Sequence, residues 1–440
     1  MQRSNLVRPA AMFWGAAVFL PVGAAYAGLA LVLIAMLSAG ALHERAARLR
    51  GHPLRWPTLF FVAWTLAVLA FGPHYPQTPS NLVHGLRIAL TIVLALALRR
   101  DEAVWALRGF IGMALASLAM IALFHTVLYN VTFLHLLEPW RAVLVLSGNK
   151  SISNALLFTI VGAGAAVLGL HLLTHEDRRR PAWAIGCFAI TAWVLAVVTV
   201  QVFLPSRTSL LAMVLVLPLA CLHRWRRQLR PLAVAMLAGG LLMGAALWQS
   251  PGVQQKFALG VQEIEAARAG AVSEGSWVVR FHMYRETARM IADRPFAGWG
   301  IGGWTEQWHL RGPKLLADYN MPHNDFLWMG AQTGLPGSIG LLAILLTGLW
   351  TAWRRPDLTG RLALVAMAVL LLATSVNSAL RDAQIGLGLL WIAMVCLRLV
   401  DEPGEPWGDV VPARLSGWID RPAATGLDGL SGASLPTRLP

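Results

Sequence analysis

Long apolar runs separated by short polar clusters dominate the chain, and they recur near the roughly 20 residues a helix needs to cross a bilayer. The first run, residues 10–39, would reach roughly 45 Å as a helix, too long for one crossing and short for two. Pro21 and Gly23 interrupt it, Arg3 and Arg8 precede it, and Arg45, Arg48, Arg50 and Arg55 follow it. Two tight crossings leave both basic groups on the cytoplasmic face, whereas one would separate them, so the pattern predicts two. Further runs lie at 57–71, 82–98, 104–124, 152–173, 183–204, 208–222, 231–248, 325–353, 362–376 and 385–397. The expectation is an all-α, polytopic membrane protein of about twelve transmembrane helices with both ends in the cytoplasm. Helices 1–9 fall within residues 1–248 and helices 10–12 within 325–400. A large outer loop of amphipathic helices occupies 249–324. A Pro- and Gly-rich cytoplasmic tail, 401–440, is expected to be disordered.

Composition agrees with that pattern. Of 440 residues 57% are hydrophobic and 13% are charged, roughly half the charge fraction of an ordinary soluble domain. The net charge of +14 resides in short clusters between apolar runs, which is what membrane orientation predicts, so no nucleic-acid partner is expected. Cys187, Cys221 and Cys396 fall in or beside apolar runs without CxxC spacing or an adjacent histidine, which points to neither a metal site nor a disulfide framework. No small-residue cleavage site follows a short apolar core at the N-terminus, so no removed signal peptide is expected. The chain shows no internal repeat. Its long loop follows the ninth predicted helix and faces outward, unlike the central cytoplasmic link of a transporter built from two six-helix halves.

Candidate chemistry concentrates in the outer loop and the segments facing it. Phe257, Val261 and Ile264 recur at helical spacing, as do Phe281, Tyr284, Ala288 and Ile291. The second set predicts a helix with Ser276 as N-cap and Pro295 as terminator. Such helices lie on the bilayer or cover a cavity. The run GWGIGG follows no predicted strand, which argues against a nucleotide-binding loop; its glycines allow close backbone approach beside Trp299, Trp304 and Trp308. Aromatic rings so placed suit either sugar stacking or interfacial anchoring. His323 precedes a predicted helix start, where the positive end of the helix favours a neutral imidazole able to take a proton from a hydroxyl. Arg207 occupies a tight outer turn that has no topological need for positive charge, and Arg280 opens the loop helix. Two guanidiniums suit a diphosphate through bidentate hydrogen bonds. HExxH is absent, and Glu263 and Glu265 form the one close acidic pair of the loop, with basic neighbours; the expectation is arginines rather than a divalent cation, and no cofactor.

Three stretches, PSRTSLLA, RFHMYRETARMIADRPFAGWGIGGW and HNDFLWMGAQTGLPGSIGLL, occur in order within this topology. They resemble the O-antigen ligases and the related bacterial repeat-unit polymerases and O-linked oligosaccharyltransferases. The likeness covers residues 203–353, and the outer stretch GNKSISNALL adds a ligase-like feature. The resemblance implies a helical membrane glycosyltransferase fold of the GT-C-like type in the bacterial inner membrane, with its active site facing the periplasm. It also implies a glycan donor on undecaprenyl diphosphate, with neither metal nor nucleotide sugar. Carried over by motif, Arg207 and Arg280 bind diphosphate and His323 activates or orients the acceptor hydroxyl; Trp299, Trp304 and Asn324 are candidate glycan contacts. The ligase reading, with a lipid A–core sugar as acceptor, rests on GNKSISN and on the lack of an extra C-terminal domain. A polymerase would use a second lipid-linked glycan, and an oligosaccharyltransferase a protein Ser or Thr. A lipid-linked glycan transporter is the reading of a different class; it should carry charge inside its membrane helices.

Overall fold

A computed structural model describes residues 6–124, 135–145, 148–173, 180–204, 206–248, 251–404 and 406–410. Among them every regular element is helical. In chain order these are α1 Val7–Ala17, α2 Val22–Ala39, α3 Leu42–Gly51, α4 Arg55–Phe71, α5 Thr78–Ala97, α6 Arg100–Phe124, α7 Glu138–Val145, α8 Gly148–Leu173 and α9 Arg180–Val202. There follow α10 Arg207–Trp225, α11 Leu229–Trp248, α12 Pro251–Arg268, α13 Ser276–Asp293, α14 Gly303–Arg311, a 3-10 turn at Lys314–Leu316, α15 Asp325–Arg354, α16 Leu358–Val376, α17 Ala383–Val400 and the short α18 Trp407–Val410. The tail expected to be disordered lies outside the described residues beyond α18.

Nine of these helices are long and apolar enough to span a bilayer, ten if the bent pair α3–α4 counts as one span. The expected twelve would also need α1 and α11. At 11 residues, α1 reaches only about 16 Å, half the hydrocarbon thickness. The apolar part of α11, Leu229–Leu241, is also short. By length and composition the first apolar run holds one candidate span, α2, beside the short α1. Helix α3 carries Glu44, Arg45, Arg48 and Arg50 and turns 98° from α4, so it lies across the bundle end while α4 crosses.

Close helix contact rests on small side chains, the usual device where lipid supplies no hydrophobic drive between helices. Gly15 of α1 lies against the Ala106 carbonyl of α6, and Gly109 of α6 against the Met12 carbonyl of α1; a methyl group at either position would collide with main chain. Trp14 and Trp391 stack at 3.7 Å between centroids, tying α1 to α17. Helices α16 and α17 are the core, with nearly every side chain buried.

The two ends of the bundle differ in charge chemistry. At one end arginines staple loops. Buried Arg45 holds Glu102 through two bonds of 2.7 and 2.6 Å, Arg398 donates to the Leu98 carbonyl at 2.7 Å, and Arg355 donates to the carbonyls of Val400 and Glu402, both at 2.6 Å. At the other end the N-termini of α10, α15 and α17 gather. Asn377 donates to the Thr208 hydroxyl at 2.9 Å, and Asn324 donates to the Ser375 carbonyl at 2.7 Å. Those two bonds bring the start of α10, the start of α15 and the α16–α17 loop together.

Candidate functional site

Arg207 is the first residue of α10, whose N-cap is Ser206, its hydroxyl accepting from the Ser209 N–H at 3.3 Å. The Arg207 guanidinium lies over the Trp277 ring, 5.9 Å from its centroid. Trp277 and Arg280 are three apart on α13 and so share a face. Ser276, expected as the N-cap, is instead the first helical residue. Gly275 occupies the cap position without a side-chain bond, and the Ser276 hydroxyl accepts from Arg280 Nη1 at 2.6 Å. Burial lowers the pKa of Arg280, and repulsion from Arg207 adds to the effect. Its Nε is buried without a hydrogen-bond partner. Among the described residues neither Arg207 nor Arg280 forms an ion pair with a carboxylate.

His323 joins this cluster from the loop ahead of α15. Its φ of 54° puts a non-glycine residue in the left-handed region, at a cost of about 1–3 kcal/mol. Neighbours hold it there. The Tyr284 hydroxyl donates to the His323 carbonyl at 3.1 Å, the Tyr319 ring meets the imidazole edge-on at 6.1 Å, and Asn324 caps α15 by accepting from the Leu327 N–H at 3.0 Å. The imidazole pKa falls to about 4 through burial first and then the charges of Arg280 and Arg381. The neutral ring expected from a helix terminus therefore has a different principal cause. Two costs, a strained backbone and a half-buried polar ring, meet at one residue, as they do where a side chain is held for a task.

The candidate glycan contacts have structural work. Trp304 is fully buried, stacked on Trp308 at 5.5 Å, and its indole N–H donates to the Thr287 hydroxyl at 2.8 Å. That leaves it no face for a sugar. Trp299 donates to the Met290 carbonyl at 2.8 Å, and the guanidiniums of Arg294 and Arg311 sit over its ring at 4.1 and 4.6 Å. The Asn324 amide is committed at both ends to Leu327 and Ser375.

GWGIGG also has a clear physical role. Helix α15 breaks at Gly334, φ 72°, and Pro336 has no N–H to give. The carbonyls of Ala331, Gln332 and Thr333 consequently lose their partners four residues on. Trp299 N–H donates to the first at 2.8 Å, Gly300 N–H to the second at 3.0 Å, and the Trp64 indole to the third at 2.7 Å. The Leu335 N–H is taken by the Pro295 carbonyl at 2.7 Å. The glycine–tryptophan run closes a broken helix by main-chain bonds, and Gly298 at φ 64° lies directly against the backbone of Gln332 and Gly334.

A cluster of guanidiniums and a held neutral imidazole, on the loop-helix side of a multi-pass bundle, is the setting in which the family comparison has meaning. Residues 192–342 match the O-antigen ligase family. The chain carries an O-antigen ligase domain. Members of this family are glycosyltransferase-like enzymes, and the all-helical, multi-pass architecture agrees with it. No curated protein matches the chain. The ligase domain runs from α9 to the middle of α15 and includes Arg207, Arg280, Tyr284 and His323. It stops short of Arg381, which the fold returns to the same place.

Arg381 and Arg87 escaped the sequence reading although both carried a signal. Arg381 sits in a short hairpin, NSALRDAQ, that the arginine pattern places on the same side as Arg207, where positive charge is as unneeded as at Arg207. Arg87 is a lone charge within a predicted membrane helix, which by itself marks a functional or structural site. Among the described residues no group of three or more His, Cys, Asp or Glu is arranged to hold a metal ion.

Proposed function

We propose that the protein transfers a glycan from undecaprenyl diphosphate to a sugar hydroxyl of a lipid A–core acceptor, at the periplasmic face of the bacterial inner membrane. The ligase domain supports the reaction class, and the resemblance of its motifs supports the donor. The observation that carries the reading is the combination of carboxylate-free Arg207 and Arg280 with the held, neutral His323. An anion of two or more charges balances the guanidiniums, and a diphosphate meets that demand bidentately.

In this reading Arg207 and Arg280 grip the diphosphate, and His323 accepts the proton of the acceptor hydroxyl as its oxygen attacks the anomeric carbon. The bond from that carbon to the diphosphate oxygen breaks, and undecaprenyl diphosphate leaves with its new charge held by the arginines. A diphosphate departs readily once its charge is met, so the harder demand falls on the acceptor oxygen, where a base is worth typically about 10²–10⁴-fold. The bound diphosphate has a second effect. It offsets the cations that depress the imidazole pKa, so donor binding makes His323 a stronger base.

Deletion of the protein tests the reading, with gel analysis of lipopolysaccharide and of carrier-linked glycan. A ligase leaves long polymer on the carrier and none on lipid A–core. Single repeat units would indicate a polymerase, unchanged lipopolysaccharide with lost protein glycosylation an oligosaccharyltransferase, and donor stranded on the cytoplasmic face a transporter; each would replace the proposal. Purified protein should transfer equally with and without a chelator. Activity lost to chelation and restored by Mg²⁺ or Mn²⁺ would reveal a metal requirement.

A further inference from the structure

The α16–α17 loop, residues 377–382, is held by its main chain from both sides. Wholly buried Asp325 accepts the N–H of Leu380 at 2.7 Å and that of Arg381 at 3.0 Å. Buried Arg87 of α5 donates to the carbonyls of the same two residues, at 2.7 and 2.9 Å. A third bond from Arg87, to the Tyr26 hydroxyl at 2.7 Å, anchors the clamp to α2. Buried polar groups that engage backbone on both faces of one loop fix its position without using the loop's side chain.

That side chain is the Arg381 guanidinium. Its Nη1 touches the Met321 sulfur at 3.8 Å, two residues ahead of His323, and its Nε is buried without a partner. The two nearest carboxyl groups are engaged elsewhere. Both Asp325 oxygens take the backbone N–H groups just named, while Asp382 caps α17 through the Gln384 N–H at 2.8 Å and accepts from Asn149 at 2.6 Å. Among the described residues Arg381 thus has no ion-pair partner, as is true of Arg207 and Arg280. Arg381 is half-buried, and a guanidinium whose Nε is shut away from water without a partner is costly unless an anion completes it. Its position beside the His323 loop puts that anion next to the imidazole that the Arg280 charge also reaches.

We infer that Arg381 is a third guanidinium of the donor site, gripping the diphosphate beside His323, with Asp325 and Arg87 positioning it. This rests on the donor reading proposed above and extends it to a residue outside the ligase domain.

The test uses full-length protein in detergent. Arg381→Gln leaves the clamp intact, because the clamp uses only backbone at that position. Its KM for a lipid-diphosphate donor should rise about ten- to a hundredfold, the loss expected of a charge-assisted bond, while the KM for acceptor stays within twofold. Arg381→Lys, which retains charge but not the planar fork, should fall between and carries the test if the Gln variant does not fold; a donor KM unchanged in it would overturn the inference. Independently of activity, inorganic diphosphate should raise the unfolding temperature of wild type and much less that of Arg381→Gln. Equal protection of both proteins, or none of wild type, would overturn the inference. So would equal protection by inorganic phosphate, which would mark a phospholipid headgroup site instead. Wild type that is protected by diphosphate yet transfers no glycan would sink the proposed activity and leave Arg381 as an anion ligand.

Discussion

Asp325 holds Arg381 by the main chain and leaves its side chain free: the carboxyl oxygens of one accept the N–H of the other at 3.0 Å and of its neighbour Leu380 at 2.7 Å. Because Asp325 is also the first residue of α15, two positions from His323, the same carboxyl group ties the histidine loop to the arginine loop. Asp325→Ala should strand two buried N–H groups and cost about 2–5 kcal/mol of stability. Asp325→Asn should be nearly as damaging, since its NH₂ faces one of the donors. Thermal unfolding in detergent reads the loss; a midpoint within a degree of wild type for both variants would show that the clamp does not hold the loop.

His323→Ala should insert and bind donor normally but transfer at least about a hundredfold more slowly, as loss of a catalytic base implies. His309→Ala, in the same region but at the end of α14, should be nearly silent. Near-normal turnover of His323→Ala, or loss through misfolding alone, would make the residue structural.

Acid should act on His323 in two ways. The imidazole pKa is depressed from 6.5 to about 4 by burial, Arg280 and Arg381, so between those values the unfolded chain binds the extra proton. Stability from the neutral ring is fully present above about pH 6.5 and is lost as pH falls towards 4. A His323→Gln variant should lose less stability over that window. In the reaction, kcat/KM for donor reports the free enzyme and kcat/KM for acceptor at saturating donor reports the loaded one. The acid limb of the second should lie at higher pH, because bound diphosphate offsets the arginines. Coincident limbs would remove the diphosphate from the neighbourhood of the ring.

Arg280→Lys and Arg207→Lys should substitute poorly, since an ammonium keeps the charge and loses the planar fork. Alanine at either position should raise the KM for donor while the protein remains folded. Wild-type activity in both alanine variants would refute the diphosphate assignment.

Topology offers a check independent of chemistry. A reporter fused after Gly275 should be periplasmic, while fusions at Arg179 and Arg355 should be cytoplasmic, from the clustering of arginines at one side of the bundle. A cytoplasmic signal from the first would invert the orientation and with it the proposed compartment.

The apolar runs and the arginine-rich clusters between them were enough to predict a multi-pass helical protein, and the resemblance of its motifs pointed to a ligase-type domain. These depend on residue type and local spacing, because each membrane helix must satisfy its own backbone within its own segment. Arg207, Arg280 and His323 could be singled out on the same ground, as polar groups without a topological reason. Tertiary structure decided the rest. The length of α1 depends on where the chain turns at 18–20 and packs against α6, which periodicity does not encode. Trp304 reads in sequence as a sugar contact or an interfacial anchor and is a core residue in space, since its indole partner Thr287 comes from another helix. The glycines of GWGIGG signal a close backbone approach, but only the break at Gly334 shows which carbonyls they approach. Arg381 lies 58 residues from His323 (381 minus 323), and its meeting with that loop hangs on Asp325 and on Arg87 from the other half of the chain. Such contacts arise from the packing of distant helices, and local spacing carries no signal of which ones will meet.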